Sequence, residues 1–193
     1  MKRTNNEFEV SIKGVAPLLM HSGRTKDPLD DFTKEIKKVS SKRNKTDENF
    51  EEMAKLEWFA SLYLNQERRL IIPSENIEAC MAKGAAKNKN GLKVKSGMIV
   101  LENPGPLLQY NGSSTVEKLF EDKQFVNRSP VNVQRNSVIR TRPIFYDWGL
   151  TFTIHYDPKV IEKDEIISSI INAGRFNALG DWRPKYGRFE IVE

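Results

Sequence analysis

The stretch WGLTFTIHY, residues 148–156, constrains the fold more than any other. Trp148, Leu150, Phe152, Ile154 and Tyr156 alternate with Gly149, Thr151, Thr153 and His155, the period-two pattern of a strand with one buried and one solvated face. FEVSIKG, residues 8–14, repeats the pattern with Phe8, Val10 and Ile12 on one side. RFEIV near the end repeats it with Phe189 and Ile191. Such strands call for a sheet that packs a core on one face.

Two helical patterns lie between them. After LIIP, residues 70–73, Ser74 stands at the expected N-cap. Ile77, Cys80, Met81, Gly84 and Ala85 then follow at helical spacing. In DPKVIEKDEIISSIINAG, residues 157–174, Ile166, Ile167, Ile170 and Ile171 face inward, and Gly174 occupies the expected C-cap. GMIVLENPGPLLQY, residues 97–110, gives two short strands around a Pro-Gly break. The order is βαββαβ. This predicts an α+β, ferredoxin-like antiparallel sheet with both helices on one face and the other face open to a ligand. Residues 1–193 read as a single domain. An α-helical insertion follows the first strand at 22–68, and its helix over 47–64 carries Phe50, Met53, Ala54, Trp58 and Ser61 along one stripe. A basic hairpin falls within 111–143.

Hydrophobic residues make up 38% of the chain and charged residues 30%, a globular and not a disordered composition. The net charge of +5 suits a polyanionic partner. With one cysteine, Cys80, no internal disulfide can form, which points to a reducing compartment. The polar start and the lack of an apolar run of about 20 residues argue against a membrane span. The expected location is cytoplasmic.

Catalytic signals are sparse. Of the two histidines, His155 lies mid-strand on the solvated face, and His21 ends the first strand region. Asp27, Asp30 and Asp31 cluster nearby, a set that could hold Mg²⁺ but more often starts a helix. No zinc set, P-loop or dinucleotide fingerprint is present, so no cofactor and no metal is expected. The basic clusters speak more clearly. Lysines crowd 34–45 and 83–95. Arg128, Arg135, Arg140 and Arg142 fall in the hairpin, where guanidinium forks can grip phosphate. Trp182, Arg183, Lys185, Tyr186 and Arg188 interleave rings and cations in a glycine-containing loop, a pattern that suits single-stranded nucleic acid.

Three segments carry a family likeness. LIIPSENIEACMAKGAA, residues 70–86, resembles the strand–Ile-Pro–Ser–helix signature of the RAMP superfamily, the repeat-associated proteins that build CRISPR effector backbones. ALGDWRPKYGRFEI, residues 178–191, resembles the loop those proteins carry before their last strand. VSIKGVAPLLMH, residues 10–21, is similar to their first strand and its turn. The resemblance covers roughly 8–21, 70–110 and 145–193. It implies a compact, free-standing member of the kind carried by phages, with 127–143 as the thumb laid against RNA. It also implies that His21, or Asp27 in the following loop, could cleave RNA.

The expected function is non-catalytic binding of RNA or single-stranded DNA, with assembly into an oligomer or filament. Arg128, Arg135, Arg140 and Arg142 would hold the backbone. Arg183, Lys185 and Arg188 would line the loop, with Trp182 or Tyr186 stacking. The alternatives are an RNA endonuclease using His21, with or without a metal at Asp27, and a phage-type anti-defence protein that captures a host defence protein or a small phosphorylated ligand.

Overall fold

A computed structural model describes residues 6–133 and 136–192. In chain order the elements are β1 (Glu7–Gly14), β2 (Leu18–Leu19), α1 (Asp31–Ser40), α2 (Asp47–Ala60), α3 (Ser74–Ala86), α4 (Gly91–Gly97), β3 (Met98–Val100), β4 (Gln109–Tyr110), α5 (Val116–Glu121), β5 (Val126–Val133), β6 (Asn136–Phe145), β7 (Trp148–Tyr156), α6 (Lys163–Asn172) and β8 (Phe189–Val192). The protein is α+β, with antiparallel sheets. It divides into two compact units. One is built from the chain up to Leu18, Leu64–Asn111 and the chain from Tyr146 onward. The other is built from Leu19–Tyr63 and Gly112–Phe145. The two excursions that read as separate in the sequence therefore form one compact body.

In the first unit the strand order is β3-β7-β1-β8, with β4 also paired to β7. The β1–β7 ladder runs from Glu7↔His155 to Lys13↔Gly149, and β8 joins the other side of β1 through Ser11↔Val192 to Gly14↔Phe189. This register puts Val10, Ile12, Leu150, Phe152, Ile154 and Phe189 on one face, and all are buried. Helices α3 and α6 supply the facing layer through Ile77, Cys80, Met81, Ile166 and Ile170. Each large aliphatic buried this way contributes roughly 1.5–3 kcal/mol. The Cys80 Sγ donates to the Ala178 carbonyl at 3.2 Å. Burial pushes this thiol up to about 12, against the opposing charges of Arg183 and Lys83.

Three local expectations change. Ser74 opens α3, but its hydroxyl makes no cap bond. It donates instead to the Glu102 carbonyl, and the Ser74 N–H donates to the Pro104 carbonyl at 3.0 Å. Gly174 is no left-handed C-cap either. The chain passes from α6 into a π turn at Ala173–Asn177, and the positive φ of 62° falls on Ala178. Gly174 is small because a Cβ there would strike the Phe189 carbonyl and ring. Residues 69–72 form isolated bridges, Leu64↔Leu70 and Ile71↔Leu107, and not a ladder.

The second unit centres on the β5–β6 ribbon, paired from Val126↔Pro143 to Val133↔Asn136, with β2 added beside β6. Trp58 of α2 is fully buried. Its indole N–H donates to the Phe125 carbonyl at 2.8 Å, and its ring meets Phe59 and Phe120 edge-on. The buried face of α2 comprises Ala54, Glu57, Trp58 and Ala60, while Phe50 is 49% exposed. The apolar stripe read from sequence thus lies rotated toward a glutamate.

The α3–α6 contact yields a test. A Cβ added at Gly84 would meet backbone atoms of α6, the Ser169 carbonyl and, at 2.6 Å, the Ala173 nitrogen. Backbone cannot rotate aside, so Gly84→Ala must force the helices apart. The expected loss is about 1–3 kcal/mol, read as an earlier midpoint in urea denaturation.

Candidate nucleic-acid interface

In the second unit a cleft of about 500 Å³ lies between the ribbon and the first excursion. Its polar lining includes His21, Lys26, Glu57, Ser61, Arg140 and Arg142. Glu57 organises it. This buried carboxylate accepts from the Thr141 backbone N–H at 2.9 Å and from the Arg140 guanidinium. It ties α2 to β6 and holds Arg140 in place; such charge-assisted bonds are about twice as strong as neutral ones. Arg140 and Arg142 are two apart on β6 and share a ribbon face with Ser129 and Asn127. Arg142 is only 8% exposed. His21 Nδ1 approaches Ser61 Oγ at 3.5 Å, and Ser61 Oγ donates to the Glu57 carbonyl at 2.7 Å. The Tyr63 hydroxyl donates to the His21 carbonyl at 3.0 Å. Three fixed cations face one carboxylate in this lining, so the cleft favours an anion.

The other residues singled out from sequence separate. Arg128 pairs in register with Thr141 and so points to the opposite ribbon face. There it lines a different groove, of about 560 Å³, together with Glu48, Glu51, Glu52, Lys55 and Lys123. Arg135 lies outside the described residues. Asp27 is not among the residues lining the cleft. Its carboxylate accepts from the Leu29 N–H at 2.9 Å. Asp30 caps α1 through the Phe32 N–H and binds Arg24 Nε, each at 2.9 Å. Burial alone would raise the Asp30 carboxyl, but Arg24 and the Phe32 and Thr33 N–H groups outweigh it and hold the carboxyl below its ordinary value. Asp31 pairs with Lys34 at 3.2 Å. The acidic triplet thus builds the helix start, and among the described residues no group of three or more His, Cys, Asp or Glu could hold a metal ion.

The ring-and-cation loop belongs to the first unit. Trp182, at a φ of 53°, and Tyr186 are half-buried and stack on one another, with centroids 6.0 Å apart and planes 29° from parallel. Arg183, Lys185 and Arg188 are exposed. Lys185 Nζ lies 5.7 Å from the Tyr186 ring centroid. The loop is pinned at its base: the Gly187 N–H donates to the Pro17 carbonyl at 2.7 Å, and the Gly187 carbonyl accepts from Leu179 at 2.9 Å.

The solvated sheet face of the first unit offers little to RNA. It carries Glu7, Glu9 and Glu190 against Lys13, with threonines and no Phe, Tyr or Trp among its described residues. His155 sits there 3.2 Å from Glu7. Two lysines of the 83–95 cluster have local roles: Lys93 binds Glu165 at 3.1 Å, and Lys87 lies 3.0 Å over the Phe176 ring. No helix among the described residues is long and apolar enough to cross a membrane.

Sequence reasoning missed Glu57, Ser61 as a partner of His21, and Lys26. One signal was available: Glu57 sits three residues after Ala54 and four before Ser61, inside the apolar stripe. Glu57→Ala would leave the Thr141 N–H and Arg140 without this acceptor, at an expected cost of about 1–3 kcal/mol. Glu57→Gln, which keeps an acceptor, should cost less. Chemical denaturation of the two variants beside the parent measures the difference.

No protein-family model matches the chain, and no curated protein matches it.

Proposed function

We propose that this protein binds single-stranded nucleic acid, RNA first, without cleaving it. The observation that carries this reading is the pairing of Arg140 and Arg142 on one ribbon face, in a cleft that also holds Lys26 and a single opposing carboxylate. Arginine forks suit phosphate oxygens. The loop of the first unit adds exposed cations beside a pair of stacked rings, the combination that suits unpaired bases. Arg128 serves the strand backbone from the opposite ribbon face. The strand order β8-β1-β7-β3, with α3 and α6 as the crossing helices, supports reading the first unit as ferredoxin-like. That topology fits the RAMP resemblance.

Fluorescence anisotropy with labelled oligouridine tests the reading. Binding should be tightest at about 50 mM salt and fall with a log–log slope of roughly 0.7 per phosphate contact. Lys26→Ala and Arg142→Gln should each weaken binding about tenfold and reduce that slope. Absence of binding at low salt would refute the proposal.

The 3.5 Å approach of His21 to Ser61, in the same cleft as the two arginines, favours a second reading, an RNA endonuclease with His21 as the acid–base group. Asp27 lies outside that lining, so this reading rests on His21 alone. It requires strand scission that His21→Ala abolishes while binding persists. Intact RNA after prolonged incubation with Mg²⁺, or an active His21→Ala variant, would end it.

A further inference from the structure

The first unit's strand order ends on β8, and no described strand pairs with its outer side; Gly174 covers the outward Phe189 carbonyl, which leaves Ile191 to present the strand's outward N–H and C=O. Strand edges are commonly blunted by lysine, proline, a bulge or a covering helix or loop. The β8 sequence FEIV has neither proline nor lysine, and Glu190 is its only charge. Beside this edge runs a groove of about 560 Å³, with Ile171, Phe176, Phe189 and Ile191 as its apolar lining and Arg175 and Arg188 at its flanks. Ile171, whose spacing predicts an inward position, is instead 39% exposed, and Phe176 is 54% exposed. Val15, also in the lining, is exposed as well. Single exposed apolar residues are ordinary, but three in the lining of one groove mark a contact surface.

We infer that the edge of β8 at Ile191 and the groove beside it form a docking site for an extended acidic peptide segment of a partner protein. Backbone chemistry sets the extended form. The outward N–H and C=O groups of an edge strand are met by another strand, whereas a helix uses its own groups internally. An added strand sends alternate side chains to one face, so apolar residues at every second position would enter the groove. Charge sets the acidity. Arg175 and Arg188 face only Glu190 in the lining, and Lys87 stands over the Phe176 ring. The site shares Arg188 with the loop of the nucleic-acid reading, but its backbone pairing and apolar contact do not depend on that reading.

The test uses a labelled octapeptide of alternating valine and glutamate, titrated into the full chain. Comparators are the valine–lysine peptide and two N-methylated valine–glutamate peptides, one for each set of alternate amides. The proposal expects the valine–glutamate peptide to bind, the lysine peptide to bind at least about tenfold more weakly, and one N-methylated peptide to lose about tenfold. Ile171→Glu, at an exposed helix position, should weaken binding by a similar factor with an unchanged melting curve. Four results would overturn it. The valine–glutamate peptide fails to bind, both methylated peptides bind like the parent, Ile171→Glu binds undiminished, or the chain sediments as a dimer that Ile171→Glu dissociates. The last would make a second copy the occupant.

Discussion

The antiparallel ladder between β1 and β7 is the constraint on which the first unit depends. It joins the first strand to one more than a hundred residues later, and its register decides the fate of every alternate side chain in the sheet. A slip of β1 by one residue would turn Val10 and Ile12 to water and bury Glu9 and Ser11. Charged and hydroxyl-bearing residues on the other face make that slip costly. β8 and β3 then attach to the two outer sides of this pair, and α3 and α6 cover the apolar face.

Glu57 holds a comparable place in the second unit. A buried carboxylate is expensive unless its oxygens are met. Here one oxygen is met by a backbone N–H of β6 and the other by a guanidinium two strand positions from Arg142. The same contact that makes the glutamate tolerable also fixes the first of two arginines at the cleft. Stability and charge placement are therefore coupled: a change that relieves the buried acid also releases a cation.

The sequence was legible wherever period and local chemistry suffice. Strand β7 shows plainly in its alternation, and α3 in the spacing from Ile77 to Ala85. The +2 spacing of Arg140 and Arg142 is that of one strand face. Arg128 could not be sorted from them, because its face depends on where the ribbon turns. Local pattern gives Ser74 and Gly174 capping roles, yet their partners are Glu102 and Phe189, distant in sequence and brought close only by the fold. The cleft was illegible for the same reason. His21, Glu57 and Arg140 come from three segments with no common period, and a glutamate on a helix reads by default as a solvated charge.

The second unit is assembled from two excursions of one chain, and each completes the other. The Trp58 N–H is met by Phe125, and the Glu57 carboxylate by Thr141 and Arg140. Remove the later excursion and the earlier one is left with a bare tryptophan and an unmet carboxylate. Remove the earlier and the ribbon loses the helix that anchors it. Such a body cannot be gained or trimmed one loop at a time. Over descent, the two excursions must travel as a pair, although the chain writes them far apart.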